Sequence, residues 1–283
     1  MEEKEIKKSV RSKYGKVAKK SSSCCGSVPS RGNPENSCCG SSNDSKSDNI
    51  SKLIGYSDEE LNSVPEGSNL GLGCGNPLAH ASIKEGDVVL DLGSGAGFDC
   101  FLAAKRVGQT GKVIGIDMTP EMVDKARENA LKDNYDNVEF RLGEIEHLPV
   151  ADRSVDLIIS NCVINLAPNK EKVFQDAYRV LKPRGRIMIS DIVLLKELPN
   201  YIKSSIDAYI GCVSGALLKE KYIETIKKAG FKDVNIISQI SFPVEILTGI
   251  PDITEKVKEL GVPSDELESL AKSVVSIKIE ARK

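Results

Sequence analysis

Residues 88–97 read Val88-Val89-Leu90-Asp91-Leu92-Gly93-Ser94-Gly95-Ala96-Gly97. A short apolar strand runs here into three alternating glycines, which let the backbone turn tightly and approach a ligand where a side chain would collide. A second apolar stretch, Val113–Ile116, follows a helix-like segment and leads to Asp117, an acid placed to bind a ribose. Together these features predict a β-α-β unit that binds a nucleotide-type cofactor.

The glycine spacing narrows the type of cofactor. A dinucleotide-binding turn favours Gly-x-Gly-x-x-Gly, whereas this chain has Gly-x-Gly-x-Gly preceded by Asp91. A glycine turn without any cofactor is the alternative interpretation. The acid after the second strand and the order of the strands argue against that alternative.

Alternating apolar strands and amphipathic helices continue along the chain, which predicts an α/β fold with a doubly wound, Rossmann-like sheet. The predicted strands are 88–92, 113–116, 138–142, 155–160 and 186–191, and the predicted helices are 98–107, 120–131 and 171–181. Beyond residue 191 the pattern is less regular, with helices at 198–209, 219–229 and from 265, and strands at 234–240 and 274–280. This part is interpreted as a lid-like C-terminal portion.

Charge and composition exclude several classes of partner. The chain has 283 residues, a formal net charge of −2 and no tryptophan, so neither a basic surface nor a stacking platform for nucleic acid is expected. Its first residues lack an apolar core after their charges, and no apolar run approaches the length of a membrane span. These features predict a cytoplasmic protein that acts on small molecules, away from membranes.

Eight cysteines are the second unusual feature of the chain. In a cytoplasmic protein they are expected to be reduced and chemically active rather than paired in a structural framework. Two copies of Cys-Cys-Gly, at 24–26 and 38–40, lie in a stretch of Ser, Gly, Asn and Pro that cannot bury enough apolar surface to fold alone. We therefore expect a flexible arm that carries four thiols. The other cysteines are Cys74, Cys100, Cys162 and Cys212, of which Cys100 is expected to be a buried apolar residue on a helix.

Several motifs resemble those of one family, the arsenite S-adenosylmethionine methyltransferases, which are class I methyltransferases. The motif at residues 91–98 is shared with methyltransferases at large. The motifs at residues 72–77 and 160–166 match this family closely. The motifs are Tyr14-Gly-Lys-Val17, the paired Cys-Cys-Gly, Gly55-Tyr-Ser57, Asn69-Leu-Gly-Leu-Gly-Cys-Gly-Asn-Pro77, Asp91-Leu-Gly-Ser-Gly-Ala-Gly-Phe98 and Ser160-Asn-Cys-Val-Ile-Asn-Leu166. The resemblance implies that Cys74, Cys162 and Cys212 bind trivalent arsenic and that an N-terminal cysteine acts as a redox partner.

Trivalent arsenic suits these residue types, since it is a soft centre that favours thiolates. Methyl transfer would oxidise it to the pentavalent state, and a dithiol closing to a disulfide would return two electrons. We expect Cys38 or Cys39 to reach Cys74 for this step, with thioredoxin or glutathione reducing the disulfide afterwards. Arsenite or an arsenic-thiol conjugate is the expected substrate, and antimonite is a further candidate ligand. No metal cofactor is expected, although the four arm thiols could close on zinc.

The expected cofactor is S-adenosylmethionine. The glycine loop is expected to hold its methionine end near Asp91, Asp117 to bind the ribose, Met118 to pack on the adenine, and Glu144 and Ile145 to face the adenine amino edge. A solvated loop acid is the alternative interpretation of Glu144. The complete set of predicted cofactor residues is Asp91, Gly93, Ser94, Gly95, Gly97, Asp117, Met118, Glu144, Ile145 and Asn161.

We expect the chain to divide into a flexible arm at 1–48, a methyltransferase domain at 49–195 and a small α+β portion at 196–283, and the resemblance implies that this last portion binds arsenic. Two other functions stay open. A class I methyltransferase of a small carbon or oxygen nucleophile, such as a quinone or sterol, explains the glycine loop but leaves most cysteines without a role. A non-enzymatic redox sensor that binds a metal or metalloid explains the cysteines but not the intact glycine loop.

Overall fold

The computed structural model describes residues 2–20, 44–203, 213–241 and 264–283. Within these residues one sheet of seven strands forms the centre of the fold. Its strands are β1 Val88–Leu92, β2 Lys112–Asp117, β3 Val138–Leu142, β4 Val155–Asn161, β5 Leu181–Leu194, β6 Lys232–Ser241 and β7 Val274–Arg282. They lie in the order β3-β2-β1-β4-β5-β7-β6, with β1 to β5 parallel and β7 antiparallel to both of its neighbours.

The helices flank this sheet and precede its first strand. They are α1 Glu3–Lys20, α2 Asp44–Leu53, α3 Asp58–Asn62, α4 Phe98–Val107, α5 Pro120–Lys132, α6 Lys170–Val180, α7 Asn200–Lys203, α8 Lys219–Lys228 and α9 Ser264–Ser273, with short 3-10 turns at Pro77–Ala79 and Ile164–Leu166. Helix α5 begins where the sequence predicts it, because the fixed backbone of Pro120 suits the first helical position. No helix in the described ranges is long and apolar enough to cross a membrane.

Alternating side chains of the central strands enter two separate cores, as expected for a sheet covered on both faces. In β1, Val89 packs against α4 and α5, whereas Leu90 packs against α6 and α8. This alternation explains why the strands read as continuous apolar runs. The fold is thus the doubly wound, Rossmann-like α/β sheet that the sequence predicts.

The order in which strands are added to the sheet reverses between β1 and β4. From β1 the strands proceed outward to β2 and β3, and from β4 they proceed the other way to β5. Ligands of open α/β sheets bind beyond the carboxyl ends of the strands at such a switch point. The loops after β1, β2 and β4 therefore frame the place where a site is expected.

Three parts of the chain differ from the sequence prediction. Strand β5 begins at Leu181 rather than Arg186, because the predicted turn at 182–185 is a bulged continuation of the strand. Helix α1 packs Ile6 and Val10 into a core with α7 and α9, although the sequence assigned this segment to the flexible arm. Strands β6 and β7 extend the central sheet, although the sequence analysis placed them in a lid-like C-terminal portion. Strand β7 pairs with nine residues of β5. The remaining arm residues, 21–43, lie outside the described residues.

Candidate active site

A cavity of about 780 Å³ opens at the carboxyl ends of the central strands. Its walls come from the glycine loop after β1, the loops after β2, β3 and β4, the segment 68–75, and one face of α1. The predicted site residues that line it are Cys74, Asp91, Gly93, Ser94, Gly95, Asp117, Met118, Ile145, Asn161 and Cys162. The fold therefore brings both predicted groups, the cofactor residues and two of the arsenic cysteines, to one cavity.

The glycine loop presents a cradle for a ligand. Gly95 has a positive φ of 53°, and a Cβ atom built on it would meet nothing within 4 Å, so the loop borders open space there. The hydroxyl of Ser94 is buried and has no hydrogen-bond partner among the described residues. A ligand with polar groups fits this cradle.

Asp117 closes the cradle from the end of β2. Its carboxylate accepts hydrogen bonds from the backbone N–H groups of Gly95, at 3.0 Å, and Thr119, at 2.8 Å. Burial raises the pKa of Asp117, and these two backbone donors oppose the rise. Each carboxylate oxygen keeps further acceptor capacity, which suits a pair of ribose hydroxyls.

Asp91 and Asp99 place two buried carboxyl groups beside the same loop. Burial raises the pKa of Asp91 well above its usual range and that of Asp99 to about 6, and the charge of Asp99 raises the pKa of Asp91 further. Neither group forms a salt bridge within the described part of the chain. Both line the cavity. A cationic ligand group, such as the ammonium of an amino acid, fits this position because it would offset two desolvated charges.

The thiols of Cys74 and Cys162 meet in the same cavity. Their sulfur atoms and a carboxylate oxygen of Asp191 all lie within 4.8 Å of one another. Cys74 lies in the loop before β1 and Cys162 directly after β4, so the contact joins residues far apart in the sequence. Two soft thiol ligands at this distance can bind a single thiophilic atom.

Local backbone geometry holds the two cysteines in place. Cys162 has a φ of 59°, in the left-handed region that residues other than glycine rarely adopt. Its N–H donates to the carbonyl of Ser190 at 2.8 Å. Beside Cys74, a Cβ atom built on Gly75 would lie 2.0 Å from the hydroxyl oxygen of Ser190, so only glycine fits. Backbone strain of this kind is typical of functional sites.

Asp191 is fully buried behind the two thiols. Its carboxylate accepts hydrogen bonds from the hydroxyl of Tyr222 at 3.0 Å, from the side-chain amide of Asn165 at 2.9 Å and from its neighbouring backbone N–H. Burial raises the pKa of Asp191 to about 7, although these donors lower it. Lys278 lines the same cavity, and its burial lowers its pKa.

Two predicted cofactor residues do not line the cavity. The side chain of Glu144 instead accepts a hydrogen bond from Lys7 of α1 at 2.8 Å, and the acid that lines the cavity is Glu146. Gly97 is the N-cap of α4, where a Cβ atom would lie 2.7 Å from the ring of Phe101. Close packing accounts for the glycine at this position.

The other predicted cysteines divide into two groups. Cys100 is fully buried on α4, as expected, and its thiol donates to Asp91 at 3.3 Å. Cys212, Cys38 and Cys39 lie outside the described residues.

Sequence analysis missed Asp99, Glu146, Asp191 and Tyr222, which the fold brings to or behind the cavity. Asp99 offered a signal, since an acid in the first turn of the helix after the glycine loop lies close to that loop. Asp191 also ends a predicted strand, and Asp91 and Asp117 likewise lie at the carboxyl ends of β1 and β2. Nothing in the sequence indicates that Tyr222 contacts Asp191, because the two residues are 31 positions apart.

Comparisons with known proteins concern the family and the fold of the chain. Residues 83–230 match the family model of a methyltransferase domain. An arsenite methyltransferase of Halobacterium salinarum is 45% identical over 279 residues, which cover 99% of this chain and 67% of that protein. The human arsenite methyltransferase is 40% identical over 168 residues, which cover 56% of this chain and 44% of that protein.

A solved structure extends the likeness to the fold. It is that of CrArsM, an arsenic(III) S-adenosylmethionine methyltransferase from Chlamydomonas reinhardtii, with a TM-score of 0.60 and 32% identity. The match covers 82% of this chain and 72% of that one. The chain spans two thirds of the length of its Halobacterium salinarum relative and less than half that of the human protein. From the 45% identity across nearly its whole length, together with the matched methyltransferase domain, it follows that the chain belongs to the arsenite methyltransferase family.

Proposed function

We propose that this protein transfers methyl groups from S-adenosylmethionine to thiol-bound trivalent arsenic. The observation that carries the proposal is the meeting of Cys74 and Cys162 in the cavity that also contains the glycine loop. A site for a soft atom and a site for a methyl donor thus share one space. The names of the relatives, which are arsenite methyltransferases, support the same substrate.

Arsenite binding at this site is a ligand exchange. Each thiol that binds arsenic replaces one hydroxyl group, and the thiol proton leaves with that hydroxyl as water, so no oxidant or reductant is needed. Cys74 and Cys162 supply two thiols, and we propose Cys212 as the third. Three sulfur ligands leave the arsenic lone pair free to act as the nucleophile.

S-adenosylmethionine supplies a methyl group already activated on a positive sulfur. The protein therefore needs to align the reactants and exclude water rather than provide an acid or base. Alignment of two bound reactants contributes about 7–11 kcal/mol to the lowering of a reaction barrier. We assign Asp91 and Asp99 to the ammonium of the donor, Asp117 to its ribose, and Met118 and Ile145 to its adenine.

Methyl transfer leaves arsenic pentavalent, and a second step must return two electrons. We propose that two cysteine thiols supply them by closing to a disulfide, with Cys38 or Cys39 and Cys74 as the pair, and that thioredoxin or glutathione then reduces this disulfide. Reduction of this disulfide needs a reducing compartment, for which we propose the cytoplasm.

An assay with radiolabelled S-adenosylmethionine tests the proposal. We expect label to pass to arsenite in the presence of a thiol reductant and to stop after one turnover without it. Demethylmenaquinone serves as the comparison substrate, since one relative, 31% identical over 178 residues, is a demethylmenaquinone methyltransferase. Label on the quinone and none on arsenite would contradict the proposal, as would binding of arsenite without any transfer.

A further inference from the structure

Asn161 makes an unusual number of contacts for one side chain. It ends strand β4, and its amide oxygen accepts a hydrogen bond from the backbone N–H of Cys74 at 3.0 Å. Its amide nitrogen donates to the carbonyl oxygen of Gly75 at 2.7 Å. One side chain therefore holds the loop that carries Cys74 from both sides of that cysteine.

The same amide nitrogen also faces two buried side chains. It lies 3.0 Å from the hydroxyl oxygen of Tyr56 and 3.3 Å from a carboxylate oxygen of Asp99. The Tyr56 hydroxyl in turn donates to the other carboxylate oxygen of Asp99 at 2.7 Å. Asp99 lines the cavity beside the glycine loop, so these hydrogen bonds connect the expected donor site to the Cys74 loop.

Asn161 is also linked to the second cysteine. It precedes Cys162 directly, and the N–H of Cys162 is fixed by the carbonyl of Ser190. The Cys74 loop packs tightly on the amide, since a Cβ atom built on Gly73 would lie 2.8 Å from it. A movement of Asn161 would therefore shift both thiols together.

We propose that Asn161, held by Tyr56 and Asp99, is a positioning residue that sets the thiols of Cys74 and Cys162 relative to the bound methyl donor. The inference rests on the proposed function and assigns Asn161 a role that acts through the cysteines. The sequence predicted direct contact with the cofactor for this residue. In-line transfer depends on such alignment, and a displacement of about 1 Å costs a reaction roughly 100-fold in rate.

Tyr56→Phe is the variant that tests this link. It removes the hydroxyl between Asn161 and Asp99 but keeps the ring, which packs edge-on against Phe98. Asn161→Ala removes the amide itself. Tyr135→Phe is the matched control, because it deletes another tyrosine hydroxyl of the same domain whose ring contacts Phe101 rather than either cysteine.

The first readout is a cross-link formed without arsenite or cofactor. Dibromobimane joins two nearby thiols, and mass spectrometry of the digested protein reports the Cys74–Cys162 product. We expect its yield to fall at least about 3-fold in Tyr56→Phe and further in Asn161→Ala, and to stay at the parent level in Tyr135→Phe. Equal yields in all four proteins would overturn the inference, as would an equal loss in the control.

The second readout separates binding from transfer. We expect Tyr56→Phe to bind S-adenosylhomocysteine within about 3-fold of the parent, but to lower the single-turnover rate of methyl transfer about 10-fold or more at saturating substrates. A variant that weakens cofactor binding and leaves the saturated rate unchanged would overturn the inference. The cross-link needs no arsenic, so it tests the inference independently of the proposed function. If the proposed function is wrong, the parent protein will form the cross-link but transfer no methyl group to arsenite.

Discussion

Lys7 and Glu144 are joined by a hydrogen bond of 2.8 Å across 137 positions of the chain. The same ammonium group lies 3.0 Å from the carboxylate of Glu146, which is almost fully buried. Burial alone would lower the pKa of Lys7, but the hydrogen bonds to these acids raise it above its usual value. Helix α1 is thereby fastened to the loop after β3, and its residues Val10 and Tyr14 form part of the cavity wall.

Lys7→Met should therefore destabilise the protein and weaken cofactor binding. It leaves the buried carboxylate of Glu146 without its cation, which costs about 3 kcal/mol of folding free energy. Denaturant unfolding and calorimetry with S-adenosylhomocysteine measure the two effects. Lys8→Met is the control, since Lys8 is exposed on the same helix. Equal stability of the two variants would show that the Lys7 contacts do not fasten α1.

The contact between Lys7 and Glu144 also makes the folding stability depend on pH. The hydrogen bond from Lys7 lowers the pKa of Glu144 in the folded protein. The stabilising contribution of this hydrogen bond is present above the pKa of Glu144 in the unfolded chain, near 4.5, and is lost as the pH falls further. Glu144 is partly exposed, so this contribution is under about 1 kcal/mol. We expect the stability difference between the parent and Glu144→Gln to vanish at low pH.

Asp117→Ala should weaken binding of S-adenosylhomocysteine by about 1.5–3 kcal/mol, because the charge-assisted hydrogen bonds to the ribose are lost. Arsenite binding should persist, since its expected ligands are the clustered thiols of Cys74 and Cys162. Asp117 also holds the N–H of Gly95, so Asp117→Asn is the matched variant that keeps one acceptor oxygen. Unchanged affinity in both variants, measured by calorimetry, would remove Asp117 from the cofactor site.

Cofactor binding should weaken as the pH falls below about 6. Burial raises the pKa of Asp99 to about 6, and an ammonium group binds the ionised carboxylate, so below that pH a proton must leave first. The affinity for S-adenosylhomocysteine should fall up to about 10-fold per pH unit. In Asp99→Asn this slope should be smaller. A pH-independent affinity of the parent between pH 5 and 7 would place the ammonium elsewhere.

The folding stability of the cofactor-free protein has the opposite dependence on pH. The folded pKa of Asp99 lies above the ordinary value of 3.8, so ionisation costs folding free energy as the pH rises from the ordinary value towards 6. Folding stability contributed by this carboxyl group is therefore greatest in acid, where cofactor binding is weakest. Thermal unfolding with and without S-adenosylhomocysteine over this range separates the two effects.

Cys74→Ser and Cys162→Ser should each reduce arsenite binding severely, because a hydroxyl is a hard and protonated ligand where a soft thiolate is needed. The same loss is expected for Cys212→Ser. Cys100→Ala should keep the parent stoichiometry, since Cys100 is fully buried on α4. Arsenic analysis of the desalted proteins measures the bound amount. A serine variant that methylates arsenite at the parent rate would show that its cysteine is not a required ligand.

Much of the fold could be predicted from local patterns. Apolar runs bounded by glycine and acids defined the central strands, and Thr119-Pro120 marked the start of α5. Helix α1 was missed because its apolar residues are few and its stability comes from long-range contacts, such as that between Lys7 and Glu144. Motifs predicted Cys74 and Cys162 as site residues, and the structure brings their thiols together. The position of the Asp191 carboxylate beside them depends on how β5 pairs with β4.

The last prediction concerns the four cysteines of the two Cys-Cys-Gly motifs. Because α1 is part of the cavity wall, deletion of residues 1–48 would remove more than the thiols, and serine substitution of Cys24, Cys25, Cys38 and Cys39 is the cleaner test. This variant should bind S-adenosylhomocysteine and monomethylated trivalent arsenic like the parent. Repeated methylation of arsenite should slow about 10-fold or more, since a tethered thiol acts at an effective concentration in the millimolar range.

Two double-serine variants show which of the two Cys-Cys-Gly motifs is responsible for the slower turnover. If Cys38 or Cys39 is the partner of Cys74, the serine pair at 38 and 39 should slow turnover as much as all four substitutions, and the pair at 24 and 25 should not. Turnover is measured with thioredoxin as the sole reductant, so that no small thiol replaces the arm. Parent-like turnover of the fourfold variant under these conditions would show that both motifs are dispensable, and the electrons would then have to come from thiols within the folded domain.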